Sequence, residues 1–338
     1  MKLFEKYRLL TSLMMVVVMP AAYAAPGEYS PRHLVFASDP QYPWTERSDS
    51  GTAQTDSERD TRSKWLIETQ YADIASFRTA NGGASNVPVM INGDMTAFGH
   101  GWQRSTVKPI LDKHLGDQYD YGLGNHDYQN NVDDCFLNNC AAGSIVDLKN
   151  RYWGKLDSLD LKVSSAMSIT KMVAGSLAYS RTYGDVHLVQ LHNEPTYSTV
   201  FTAWDWGMPT VYQITDALDW LEQDLKAARQ KGRVILLNMH KPDEWKGSRE
   251  QVDRFRQMIQ KYQVTAVFAG HYHRNAGNWW GYDQRTYFGD VPVFLSGGAS
   301  GQTYLTASFS EDRKNLTVKL VRENQWPKQA ELKTIPVR

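Results

Sequence analysis

The chain has 338 residues, 41% of them hydrophobic and 22% charged, a balance that provides a sizeable buried core and excludes wholesale disorder. Lys plus Arg and Asp plus Glu each number 37, so the formal charge is zero. No basic excess recruits nucleic acid, and no Lys/Arg-rich run suggests an anionic membrane surface.

The first two dozen residues read apart from the rest. Lys2, Lys6 and Arg8 make a positive start, Leu9 to Met19 is mostly apolar, and Ala22-Tyr23-Ala24 fits a small-x-small cleavage site. That is the pattern of a secretory signal peptide over residues 1–24, because the apolar stretch is too short to span a bilayer. An uncleaved anchor is the alternative, and Pro20 and the alanines that break the run weigh against it. Cleavage removes three positive charges and one negative, Glu5, taking the mature chain from 0 to −2. An exported protein, periplasmic or secreted, is therefore expected. No internal repeat or Pro/Ser-rich linker follows, so a single domain is expected from about residue 30 to 338.

Along that domain, apolar runs recur, several ending in polar blocks. Leu34 to Ala37 leads to Asp39-Pro40-Gln41, and Val87 to Ile91 leads to Gly93-Asp94. Between them, Ser48 to Ser63 is polar and reads as a loop entering a helix. That helix carries Ile67, Tyr71, Ile74 and Phe77 at helical spacing and stops at Asn81-Gly82-Gly83. The short stretch Tyr119 to Leu123 precedes Gly124-Asn125-His126-Asp127. Ser176 to Tyr183 and Val186 to His192 read as a hairpin around Gly184-Asp185. A helix is expected over Ile214 to Arg229, with Ile214, Leu218, Leu221 and Leu225 on one stripe and Gly232 beyond it. Val234 to Leu237 leads to His240, a helix spans roughly Arg249 to Lys261, and Val264 to Ala269 leads to Gly270-His271-Tyr272-His273. Strands at Val291 to Leu295, Gln302 to Ser308, and around Leu316, Val318 and Leu320 close the chain. Strands at both ends with helices between suggest two packed sheets with helices outside.

Apolar runs of this length read as strands buried on both faces. Ligands of layered α/β folds sit beyond the carboxyl ends of such strands, so the five polar blocks converge on one rim. Asp39, Asp94, Asn125, His240, His271 and His273 together offer carboxylate, amide and imidazole groups, a mixture suited to first-row divalent metals. Hydrolysis of a phosphoester needs a nucleophile at neutral pH and relief of charge on the phosphoryl oxygens. Two cations about 3.5–4 Å apart provide both, by acidifying a bridging water and clamping the phosphate. Asp94 is the natural bridging carboxylate. In an extended segment His271 and His273 would share a face, letting each reach a different metal.

In this order the blocks resemble the calcineurin-like metallophosphoesterase superfamily, whose motifs run D-x-H, G-D, G-N-H-D/E, H and G-H-x-H. The resemblance covers about Leu34 to Ser308. It implies an α/β fold, a four-layer αββα sandwich of two mixed sheets flanked by helices, with a binuclear metal centre. Carried onto this chain, the first metal takes Asp39, Asp94, His273 and Gln41, and the second takes Asp94, Asn125, His240 and His271. His126 would contact the phosphate and protonate the leaving group, with Asp127 orienting its ring. Gln41 is the departure, standing where many members have His and offering only an amide oxygen. A D-P-Q opening also looks like one branch of the superfamily.

Other signals are weaker. Cys135 and Cys140 are the only cysteines, and in an exported chain they fit a disulfide closing a tight loop after His126; two free thiols are the alternative. His100, in a glycine-rich turn, and His192-Asn193, at a strand end, could touch substrate or serve structure. Trp44, Trp204, Trp206, Trp279 and Trp280 lie in loops near motif strands, where they could stack on a base, sugar or lipid or simply pack. Asn315-Leu316-Thr317 is a glycosylation sequon only in a host that glycosylates.

The expected function is an exported hydrolase of phosphomonoesters or phosphodiesters. It would use two divalent transition ions (Mn, Fe, Zn or Ni) and a bridging hydroxide on a small phosphorylated substrate. The rival is a non-catalytic binding protein on the same scaffold. Turnover of bis-nitrophenyl phosphate separates them.

Overall fold

The computed structural model describes residues 30–166, 170–205 and 208–338. The expected signal peptide and Trp206 lie outside the described residues.

Three sheets form. The first has six strands in the order Ala330–Pro336, Asn315–Val321, Tyr304–Phe309, His33–Ala37, Val89–Ile91, Asp120–Tyr121. His33–Ala37 runs parallel to Val89–Ile91 and antiparallel to Tyr304–Phe309, which makes the sheet mixed. The second has seven strands in the order Gly277–Trp279, Val293–Leu295, Ala266–Ala269, Val234–Met239, Val186–Gln190, Tyr179–Tyr183, Ser158–Leu159. Its four central strands are parallel and its edges antiparallel. The third sheet has four strands, Lys162–Ala166, Thr170–Gly175, Met208–Ile214 and Thr199–Asp205.

The helices are α1 (Glu46–Asp49), α2 (Asp56–Ala80), α3 (Gly101–Leu115), α4 (Asn139–Tyr152), α5 (Leu218–Gln230), α6 (Arg249–Lys261) and α7 (Tyr282–Phe288). Hydrophobic clusters define the layers. Leu34, Phe36 and Met90 of the first sheet meet Leu188, Leu236, Phe268 and Phe294 of the second in one core. The Phe36 and Phe268 rings stack at 3.6 Å across that seam. The other face of the first sheet packs Val35, Val89 and Ile91 against Ile67, Tyr71 and Ile74 of α2 and Val107 and Leu111 of α3. The other face of the second packs Ile235, Leu237 and Val267 against Leu221 and Leu225 of α5 and Phe255 and Ile259 of α6. Helix, sheet, sheet, helix is the resulting order, as expected.

Three local expectations are corrected. The polar stretch Ser48 to Ser63 holds α1 and the first turns of α2, whose start is fixed by a capping box between Thr55 and Glu58. Ile214 ends a strand instead of opening a helix; the Asp216 side chain accepts from the Leu218 amide at 3.0 Å and so starts α5 four residues later. Residues 270–274 form a turn, with His271 at φ 71°, not an extended segment. The third sheet and α3, α4 and α7 were not anticipated, although Val107, Leu111 and Leu115 of α3 and Ala141, Ile145, Leu148 and Tyr152 of α4 recur at helical spacing.

Candidate metal centre

Parallel register brings the polar blocks level. Ala37 pairs with Ile91, Ile91 with Tyr121, and Met239 with Ala269. Asp39, Asp94 and Asn125 therefore leave the first sheet, and His240 and His271 the second, at one end of the sandwich. Asn92 ties the two ends together: its carbonyl accepts from His240 Nδ1 at 2.8 Å and its amide donates to the Phe268 carbonyl at 3.2 Å.

The backbone here adopts conformations that L residues rarely take. Asp39, Gln41, Asp94 and His271 have φ of 50°, 40°, 49° and 71°, each costing roughly 1–3 kcal/mol that the surroundings must offset. Cross-loop bonds do so, with Asp39 N donating to Gly93 O at 3.0 Å and Gln41 N to Asp94 O at 2.9 Å. Glycines allow the close approach. A Cβ at Gly93 would lie 2.8 Å from His240 Nδ1, and one at Gly270 would lie 2.7 Å from Asp39 Oδ2.

Each carboxylate has one oxygen engaged and one presented. Asp39 Oδ2 accepts from Ser38 Oγ and from the His271 amide at 3.1 Å. Asp94 Oδ1 accepts from the His126 amide at 2.9 Å. Among the described residues Asp39 Oδ1, Asp94 Oδ2, Asn125 Oδ1, His240 Nε2 and both polar atoms of Gln41 have no hydrogen-bond partner, although all are buried. His240 Nε2 and Asp94 Oδ2 lie 3.0 Å apart without hydrogen-bonding geometry, and His273 Nε2 lies 3.2 Å from Asp39 Oδ1. Buried polar atoms normally find partners, yet His240 Nε2 has the orphaned Asp94 Oδ2 at 3.0 Å and Asp39 Oδ1 at 4.0 Å, and such a cluster demands something shared.

A divalent cation fits that demand. Asp94, His240 and His271 can bring one ligand atom each within 4.8 Å of one another, and so can Asp39, Asp94 and His273. Asp94 belongs to both groups. Gln41, 1% exposed, and Asn125, 7% exposed, add buried amides. The ring tautomers agree, since His240 Nδ1 is committed to the Asn92 carbonyl and His273 Nδ1 to Asp49 Oδ1 at 2.6 Å. Both Nε2 atoms are left to donate a lone pair.

Charge points the same way. Burial alone would lower His240, but the Asp94 and Asp39 carboxylates push it up to about 9. His273 rises against burial to about 10 because Asp39 and Asp49 flank it. Burial, and then the neighbouring His240, pull His271 down to about 4. Asp94, despite burial, is held well below the usual carboxylate range by His240 and His126. The carboxylates thus draw positive charge onto the two imidazoles, the charge a cation would bring.

His126 sits at the rim, partly exposed. Its Nδ1 is 2.7 Å from the Ala97 carbonyl, which leaves Nε2 as the ring nitrogen not engaged by that contact. The expectation that Asp127 orients this ring is corrected. Asp127 is 1% exposed and accepts instead from the amides of Met95, Thr96 and Gly124, each at 3.0 Å, and from Thr96 Oγ1 at 3.1 Å. It clamps the Asp94 loop to the Asn125 loop, and burial together with Asp94 raises it to about 6.

His192 and Asn193 are also corrected. Both are fully buried, so neither lines a cleft. His192 accepts from the Leu123 amide at 3.0 Å and meets the Leu177 carbonyl at 2.7 Å; Asn193 donates to Gln129 Oε1 at 2.6 Å. His100 lies 3.2 Å from Cys140 Sγ and stacks on Trp102. Cys135 and Cys140 form the disulfide, so their sulfurs and His100 are no metal site. Of the tryptophans, Trp44 flanks the site, its ring 5.7 Å from that of His126 and 5.9 Å from that of His273. Trp204 and Trp280 are exposed, and Trp279 packs on Phe288.

The sequence reading missed Asp49, Asn92 and the Ala97 carbonyl, which hold three of the site's histidines. A carbonyl leaves no side-chain signal. Asp49 falls in a stretch whose only helical cue is the Thr45–Ser48 cap.

The model of the calcineurin-like phosphoesterase family matches residues 34–275. This chain belongs to that family. No curated protein matches it. Among solved structures, it is similar to GAP50, "the anchor in the inner membrane complex of Plasmodium". Identity is 9% and the TM-score 0.48, over 90% of this chain and 89% of that one. It is also similar to Chaetomium thermophilum Vps29, at 7% identity and TM-score 0.36, over 90% of this chain and 97% of that one. At these scores neither bears on what this family member does. No helix among the described residues is long and apolar enough to cross a membrane.

Proposed function

We propose that this family member is an exported phosphoester hydrolase working on a small phosphorylated substrate at a binuclear divalent-metal site. The carrying observation is the cluster of buried, unpartnered Asp39 Oδ1, Asp94 Oδ2 and His240 Nε2, with the orphaned amide oxygens of Gln41 and Asn125 on the loops bonded to Asp94. Asp39, Gln41, Asp94 and His273 would hold the first ion, and Asp94, Asn125, His240 and His271 the second. Two-cation chemistry at such a site supplies a nucleophile at neutral pH and positive charge for the phosphoryl oxygens.

The chain's own groups do the rest. His126 presents Nε2 at the rim and delivers a proton to the departing oxygen, its ring steadied by the Ala97 carbonyl. Asp94 accepts from the His126 amide, so the bridging carboxylate and the proton donor share one loop contact. Asp127 fixes that contact from behind by gathering three amides. Export rests on the pattern of residues 1–24.

The test uses purified mature protein, stripped and reconstituted with Mn, Fe, Zn or Ni, on mono- and bis-nitrophenyl phosphate. Metal-dependent turnover of one or both supports the proposal. Uptake of no transition metal and release of no nitrophenol would overturn it.

A further inference from the structure

Asp49 ends α1 beside the metal centre, its side chain only 8% exposed. The element is four residues long, and Thr45 fixes its start by accepting from the Ser48 amide at 3.2 Å. This delivers the Asp49 carboxylate into a gap between three partners. Oδ1 accepts from His273 Nδ1 at 2.6 Å and from Trp44 Nε1 at 2.7 Å, and Oδ2 accepts from Ser300 Oγ at 2.6 Å. One oxygen therefore sets two rings. With its Nδ1 proton committed, His273 turns Nε2 to the presented oxygen of Asp39, 3.2 Å away. With its indole N–H committed, Trp44 holds its ring near both His126 and His273.

We propose that Asp49 is the positioning residue of the first cation site, orienting His273 by hydrogen bond and tethering Trp44 as the adjoining wall of the substrate pocket. The inference rests on the binuclear reading of the site. Its physical basis is that a histidine ligand gains a defined tautomer and ring orientation from an acceptor on its far nitrogen. Losing such an acceptor typically costs roughly 10–100-fold in metal affinity. The second site draws on none of these contacts: His240 is held by the Asn92 carbonyl instead.

The experiment titrates Mn²⁺ into stripped mature protein against a competing chelator, counting equivalents and their affinities, with circular dichroism as the check of fold. Wild type is expected to take two equivalents. Asp49→Ala is expected to weaken one of them by roughly 10–100-fold and leave the other within about threefold of wild type. Asp49→Asn, whose amide oxygen still accepts from Nδ1–H, is expected to keep both within several-fold. Trp44→Phe is expected to leave both affinities unchanged and to raise KM, because only the wall is loosened. Should Asp49→Ala not fold, Asp49→Ser, which ends short of the His273 ring, reads the same quantity.

Equal affinities in Asp49→Ala and wild type would overturn the inference and leave the binuclear reading standing. So would loss of both equivalents together, or an Asp49→Asn loss as large as that of Asp49→Ala. A wild type that takes up no cation would remove both.

Discussion

Acidification should destabilise this protein through one buried histidine. His192 is fully buried, its Nδ1 accepts the Leu123 amide proton at 3.0 Å, and its Nε2 meets the Leu177 carbonyl at 2.7 Å. The neutral tautomer satisfies both contacts. A second ring proton would sit on Nδ1, facing the Leu123 N–H in a fully buried position. Burial accordingly pulls its pKa from 6.5 down to about 4. Above pH 6.5 folded and unfolded chains both carry a neutral imidazole, and stability is at its full value. Between 6.5 and about 4 the unfolded chain binds a proton the folded one refuses, so stability falls with pH by about 1.4 kcal/mol per pH unit. Below about 4 the loss levels off, having reached about 3 kcal/mol.

The assay is urea unfolding of stripped protein at pH values from 7.5 to 4, wild type against His192→Asn. Asn tolerates the φ of 58° at this position and offers an acceptor that does not titrate. The variant is expected to be less stable at pH 7.5, with the gap narrowing by about 3 kcal/mol at pH 4. Parallel pH profiles would refute the reasoning. The effect also reaches the site, because the His192 carbonyl accepts the His240 amide at 2.6 Å.

Three further outcomes follow from particular contacts. His126→Ala is expected to slow hydrolysis of alkyl phosphoesters by roughly 10²–10⁴-fold and nitrophenyl esters far less, since only the poor leaving group needs the proton; equal losses on both would contradict the role of Nε2. Gly124→Ala places a Cβ against Asp94 Oδ1 and within 2.6 Å of its backbone nitrogen, so kcat/KM is expected to fall by about 10²-fold with the fold intact by circular dichroism. Phe36→Ala empties the stack on Phe268 between the sheets and is expected to cost about 3–5 kcal/mol in urea unfolding, with cation affinity unchanged where folded.

The layering and the gathering of the candidate ligand residues at one end were legible because strands buried on both faces show as unbroken apolar runs, and polar blocks follow their ends. Val234–Met239 and Ala266–Ala269 are such strands; His240 follows the first directly and His271 the second after Gly270. What stayed hidden depends on geometry rather than on residue type. Asp127 stands next to His126 in the chain, yet backbone amides of Met95, Thr96 and Gly124 claim its carboxylate and a carbonyl claims the imidazole. His192 looks the same in sequence whether it faces a cleft or a wall. Asp49 became part of the site only when α1 turned it inward toward His273. The third sheet was missed because apolar residues stand on both of its faces, Val163, Val200 and Met208 exposed and Val173, Phe201 and Tyr212 buried, which blurs the alternation of a one-faced strand.

Anomalous scattering from crystals of the manganese-reconstituted protein measures the central claim most directly. Two peaks about 3.5–4 Å apart are expected, with Asp94 between them, His273 on one side and His240 on the other. A single peak, or manganese bound away from Asp94, would contradict it.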